Sequence, residues 1–187
     1  MENLARDRAR LLALLKRESF ERRKVTLSSG KESDFYIDCK RTALTAEGHY
    51  LLGRLLFAEI HRVSPEVAAV GGLTLRADPL TSAVSLTSYL EGHQLQAFIV
   101  REEPKGHGTG QWIEGLTQIR PGAAVAILED VVTTGASTLR AIERAQSEGL
   151  VVAHVFAIVD RQEGGREAVL AKGHGLTPLF SRPDFMG

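Results

Sequence analysis

The chain has 187 residues, 43% of them hydrophobic, and 23 Lys plus Arg balance 23 Asp plus Glu. That length predicts one domain, 1–187, with room for a real core, and the absent net charge excludes a global field that would draw in nucleic acid or an anionic membrane. The lone Cys39 excludes an intrachain disulfide and fits a reducing compartment; with charges at Glu2, Arg6, Asp7 and Arg8 and no apolar run near the ~20 residues of a membrane span, a cytoplasmic protein is expected.

Leu4, Leu11, Leu12 and Leu15 recur at helical spacing among Arg and Lys, which predicts an amphipathic helix from about Leu4 to Phe20. Val25 to Leu27 and Phe35 to Cys39 read as two short strands joined by a turn at Ser28-Ser29-Gly30-Lys31. Cys39 falls in an apolar-alternating run and reads as a packed thiol. A second helix is predicted over Thr45 to Val63, with Leu51, Leu52, Leu55 and Leu56 on one side. Residues up to about 45 thus carry the first helix and a hairpin, and the rest of the domain runs from about 46 to 187.

In the core the pattern alternates. Strands are expected at Val67 to Gly71, Leu95 to Val100, Val125 to Leu128, Val152 to Val159 and Leu176 to Phe180. Helices are expected from Asp78, as cap, to about Leu90, after Ser137 to about Glu148, and near Arg166 to Lys172. Continuous apolar strands alternating with helices predict an α/β fold with a mostly parallel sheet covered on both faces. Ligands in such sheets bind at the carboxyl ends of strands. His49, His61, His93, His154 and His174 are scattered without metal-ligand spacing, and Asp184 suggests no role.

The segment from Val125 to Ser137 carries the most chemistry. An apolar strand ends in an acidic tip, Glu129-Asp130; Val131 and Val132 follow, then Thr133, Thr134, Gly135, Ala136 and Ser137 at the start of a helix. The small residues offer amides, hydroxyls and a helix N-terminus to a phosphate. The carboxylates can accept from sugar hydroxyls. The spacing is neither a Walker A loop nor a dinucleotide fingerprint. A second long segment, Arg101 to Leu116, holds Gly106, Gly108, Gly110 and Gly115 with the cations Arg101, Lys105 and His107. Loops of that length are usually functional or disordered. A cationic loop that closes over a polyphosphate would exclude water and stabilise a departing pyrophosphate.

The Val125–Ser137 segment resembles the PRPP-binding motif of the type I phosphoribosyltransferases. Lys105-Gly106-His107-Gly108 resembles the catalytic loop of the orotate phosphoribosyltransferases within that group. The run from Leu27 through Ser28-Ser29-Gly30-Lys31 to Tyr36 is similar to their substrate-side hairpin. Gly71 to Leu75 with Asp78-Pro79 is similar to their pyrophosphate loop, and Asp160-Arg161 with Gly164-Gly165 to their orotate-binding strand end.

That resemblance implies the type I phosphoribosyltransferase fold, with a small N-terminal hood over about 1–45, a core over about 46–187 and a flexible catalytic loop, and a reaction of orotate with PRPP to give orotidine 5′-monophosphate and pyrophosphate, in pyrimidine biosynthesis. It implies a transition state similar to an oxocarbenium ion. Lys105, His107 and Asp130 would be catalytic. PRPP would meet Arg76, Arg101, Glu102, Lys105, His107, Glu129, Asp130, Val131, Val132, Thr133, Thr134, Gly135, Ala136 and Ser137. Orotate would meet Thr133, Arg161, Tyr36 and Ile37, the Arg161 fork facing its carboxylate. Mg²⁺ would be held mainly through PRPP, with few direct protein ligands. A homodimer sharing the loop in trans is also implied.

The chain departs from the family pattern at three places. Glu102 follows Arg101 where a second lysine is common, Ser28 replaces a hairpin lysine of some relatives, and Arg76 stands where close relatives often have glycine. Arg76 is expected to offset part of the charge change at Glu102. Two other readings share parts of the pattern. One is a phosphoribosyltransferase for another base, which should lack the Lys105–His107 loop and the Ser29-Gly30-Lys31 hairpin. The other is a weakened PRPP- or nucleotide-sensing regulator, which would usually carry a basic surface or an added DNA-binding segment.

Overall fold

A computed structural model describes residues 2–26, 32–104 and 111–186. Helix α1 (Glu2–Glu18) buries Leu11 and Leu15 in one apolar cluster with Leu51, Leu52, Leu55, Leu56 and Ile60 of α3 (Ala46–Val63). The Thr45 hydroxyl starts α3 by accepting from Gly48 N at 3.0 Å, a normal cap that satisfies one of the free amides of a first turn. Between these helices lie the hood strands: β1 (Phe20–Glu21) pairs antiparallel with β4 (Tyr36–Ile37), and β2 (Val25–Thr26) with β3 (Glu32–Ser33). The expected partner of the Val25 strand, Phe35 to Cys39, pairs elsewhere. Phe35 is fully buried against Phe20, at 5.0 Å between ring centroids, and Phe185, at 5.6 Å. Cys39 is also fully buried, at the start of the short helix α2 (Lys40–Ala43).

The central sheet has six strands in the order β10-β9-β8-β5-β6-β7. These are β5 (Ala69–Leu73), β6 (Gln96–Val100), β7 (Ile113–Glu114), β8 (Ala124–Val132), β9 (Val151–Asp160) and β10 (Leu176–Ser181). All neighbours are parallel except β7, which runs antiparallel to β6. Helix α4 (Asp78–Leu90) joins β5 to β6, α5 (Ala136–Ser147) joins β8 to β9, and α6 (Gly165–Ala171) joins β9 to β10. Ala126 and Leu128 of β8 point into the cluster with α1, α3 and α4, while Val125 and Ile127 pack with Ala141, Ile142 and Ala145 of α5 and Val169 of α6. Both faces are therefore covered, which is why the strand reads as an unbroken apolar run.

Four expectations are corrected. Strand β8 does not stop at Leu128, because β9 is long enough to pair Glu129 with Ala157 and Val132 with Asp160; the acidic pair is inside the ladder rather than at a tip. The stretch 101–116 contributes β7, whose Ile113 is fully buried and pairs with Val100. Asp78 is the first residue of α4 rather than its cap. A final helix, α7 (Arg182–Met186), follows β10. Asp184 starts it by accepting from Ser181 N at 2.7 Å, and Phe185 inserts into the core under the hood. No helix among the described residues is long and apolar enough to cross a membrane.

Candidate active site

The carboxyl ends of β5, β8 and β9 meet the hood around a cleft of about 450 Å³. Tyr36, Ile37, Asp38 and Lys40 line it from the hood. Thr74, Leu75 and Arg76 come from the loop after β5, and Glu102 from the segment after β6. Asp130, Val131 and Thr133 come from the end of β8, and Arg161 from the end of β9. Of the expected site residues, Tyr36, Ile37, Arg76, Glu102, Asp130, Val131, Thr133 and Arg161 line this cleft.

The two carboxylates of β8 have different surroundings. Asp130, 6% exposed, lines the cleft and accepts from Val131 N at 2.8 Å. Glu129, 2% exposed, turns to α5, where its Oε2 accepts from the hydroxyls of Ser137 at 2.7 Å and Thr138 at 3.0 Å. Its Oε1 has no hydrogen-bond partner. Burial, and then the charge of Asp130, push the Glu129 carboxyl up from 4.5 to about 7 against the hydroxyl donors. The loop from Thr133 to Gly135 then delivers the chain into α5. Gly135 has φ +81°, a left-handed conformation, and a Cβ added there would lie 2.9 Å from Gly165 O. A Cβ on Gly165 would stand 2.5 Å from Val132 Cγ1 and 2.7 Å from Thr133 O. Two glycines thus let the start of α6 press on the loop and fix it. Val132 is buried, while Thr134 and Ala136 are exposed at the helix N-terminus.

At the end of β9, Arg161 is 8% exposed. Its Nη2 donates to Ser33 Oγ at 3.1 Å and to the Phe35 carbonyl at 3.0 Å, and pairs with Glu163 at 2.9 Å. Arg161 N donates to Val132 O at 2.9 Å. The guanidinium therefore ties the hood to the end of β9 while lining the cleft, and the Arg161 backbone joins that end to β8. Asp160 accepts from Gln162 N at 2.8 Å in the turn that follows.

The loop before α4 is held from below. Asp78 Oδ2 accepts from the Thr74 hydroxyl at 2.9 Å and from Leu75 N at 3.1 Å. Leu75 has φ +57°, uncommon for a residue with a side chain, and non-glycine residues held this way cluster at functional sites. Arg76 and Glu102 face the same cleft. Arg101 does not line it; its guanidinium pairs with Glu114 at 3.2 Å on β7. Lys105 and His107, and Ser28 in the hairpin, lie outside the described residues.

Sequence reasoning missed Asp38 and Lys40. Lys40 Nζ pairs with Asp38 at 2.9 Å. The hydrogen bond that Lys40 donates to Asp38 raises the Lys40 pKa against burial, and the charges of Asp38 and Asp130 add to it. Burial opposes ionisation of Asp38, but the bonds and charge from Lys40 bring it below its ordinary value. The signal was a lysine just past a hood strand already taken to face substrate. Burial, followed by the Asp130 charge, pushes the Cys39 thiol well up, so it stays protonated and is no nucleophile.

No family model matches the chain. It is 50% identical over 182 residues to the orotate phosphoribosyltransferase of Sorangium cellulosum, covering 97% of this chain and 94% of that one. Among solved structures it is similar to Mycobacterium tuberculosis orotate phosphoribosyltransferase in complex with Fe(III) dicitrate, at TM-score 0.83 and 37% identity over 97% of this chain and 99% of that one. It is also similar to the same enzyme in complex with 5-phospho-α-D-ribosyl 1-diphosphate, at TM-score 0.78 and 36% identity over 96% and 98%.

Proposed function

The chain belongs to the orotate phosphoribosyltransferase family, and from that premise we propose how its cleft transfers the phosphoribosyl group of PRPP to orotate, releasing pyrophosphate. The observation that carries the reading is the meeting, in one cleft, of Asp130, the loop into α5 and the nearly buried Arg161 under the hood.

The 5′-phosphate sits on the amides and hydroxyls from Thr133 to Ser137, where the positive end of α5 favours an anion. Asp130 accepts from the ribose hydroxyls and steadies the positive charge that develops on the sugar as the bond from C1 to pyrophosphate breaks. Arg161 meets the orotate carboxylate with a planar fork, Thr133 touches the base, and the backbone around Tyr36 and Ile37 reads the pyrimidine edge. Arg76 and Lys40 face the pyrophosphate, and Arg76 offsets Glu102. Arg101 joins them by leaving Glu114, and Lys105 and His107 complete the set. Glu129 is the ion or hydrogen-bond anchor behind the phosphate loop.

The cleft offers the oxygens of Asp38, Glu102 and Asp130, and among the described residues no three acidic, His or Cys side chains gather as a metal cage. A hard cation that keeps its waters and arrives on phosphate oxygens suits that donor set. Mg²⁺ bound this way would neutralise charge on the leaving pyrophosphate. Protein stripped with a chelator should consume orotate only after Mg²⁺ is restored; full turnover in excess chelator would remove the metal from the reading.

We also propose a homodimer. Leu86, Tyr89 and Leu90, spaced i, i+3, i+4 in the last turns of α4, are 58%, 69% and 75% exposed, an apolar stripe that a second copy would cover.

A further inference from the structure

The segment that leaves β6 toward the cleft and the segment that returns into β7 are gripped by one side chain from another element. Arg144 lies about two turns into α5, the helix whose first turn follows the phosphate loop. Its Nη1 donates to the carbonyl of Arg101, and its Nη2 to the carbonyl of Glu102 at 3.0 Å. Its guanidinium carbon lies 3.9 Å from the centroid of the Trp112 ring. Arg101 N donates to Trp112 O at 2.9 Å, closing the stem between the two.

One planar group thus holds two carbonyls on the outgoing side and an aromatic face on the returning side. A lysine could supply the charge but not the fork and the flat stacking surface together. Glu102, whose carbonyl is held, lines the cleft. Burial, and then the charge of Arg140, lower the Arg144 pKa from its ordinary value, and the charge of Glu102 opposes them. The carboxylate that departs from the family pattern at Glu102 therefore stands on a stem anchored by a cation.

We propose that Arg144 is a positioning residue: through its grip on Arg101, Glu102 and Trp112 it sets the stem at a fixed place relative to the phosphate loop at the other end of α5. It touches no substrate. The role in transfer rests on the transferase reading above, but the grip itself does not.

The test uses full-length wild type, R144M, R144K, W112L and the double variant R144M/W112L. Trp112 is the only tryptophan, so its emission reports the stem directly. In R144M without ligand, Trp112 emission should shift to the red and acrylamide quenching should rise. Turnover number in R144M should fall about tenfold to a hundredfold, as expected for a misplacement of about an ångström. KM for orotate should stay within about twofold, since Arg161 and the hood are untouched. R144K should recover only part of the loss. The double variant should be little worse than either single one, because both break the same contact. Unchanged Trp112 emission and quenching in R144M would overturn the grip. Unchanged turnover, equal losses in kcat and orotate affinity, or additive losses in the double variant would overturn the positioning role. If wild type consumes no orotate, the transferase reading fails, and the Trp112 signals still decide whether Arg144 holds the stem.

Discussion

Glu129 is nearly inaccessible, beside another carboxylate, with one oxygen unpartnered and the other taking two hydroxyls from α5. Its carboxyl titrates near 4.5 when unfolded and about 7 when folded, so the folded state binds more protons between those values. Its contribution to stability is full below about pH 4.5 and is lost as pH rises through 7. A rise of that size is worth about 3 kcal/mol as an order of magnitude. E129Q cannot ionise but keeps the shape. Its unfolding free energy should therefore fall less than that of wild type between pH 5 and pH 8, as measured by urea titration at each pH. Identical pH profiles would show that Glu129 is not the titrating group. The acidic pair was legible in the sequence as a pair. The division of labour between its members was not, because it depends on which way each side chain leaves the pleat once β9 extends the ladder past Leu128. Lys40 was likewise hidden, since its place comes from the turn at Cys39, whose burial drives it.

Helices α3, α4 and α5 were legible because their apolar periodicity is long and their starts lie near small polar residues. The strand pairing within the hood and α7 were not. Their strands are two residues long, and their arrangement is fixed by Phe20, Phe35 and Phe185, which meet from opposite ends of the chain. Such contacts leave no local pattern. Helix α4 also shows what periodicity leaves open: Leu86, Tyr89 and Leu90 are apolar yet exposed. If a second copy covers them, wild type should sediment as twice 20.4 kDa, and L86R should sediment as the monomer at the same concentration, because an arginine buried without a partner disfavours the contact. A monomeric wild type, or an L86R dimer of wild-type strength, would exclude this face as the interface.

Across the whole molecule, five chain segments far apart in sequence converge at one end of the sheet: the hood at 36–40, the loop at 74–76, the stem at Glu102, the end of β8 and Arg161. Alternation of strand and helix made that end legible in advance, since parallel strands put their carboxyl ends on one side. The tie from Arg161 to Ser33 and Phe35, which makes the hood part of the site, needed the structure. So did the pairing of Arg101 with Glu114, which turns a cation expected at the pyrophosphate toward β7. The central claim is that this cleft selects orotate. The most direct measurement follows loss of each base at its ultraviolet band, with purified protein, PRPP and Mg²⁺, offering orotate, uracil, adenine and hypoxanthine separately. Orotate alone should be consumed, and only when PRPP is present. Consumption of another base in its place, or of none while PRPP still binds by calorimetry, would contradict the account.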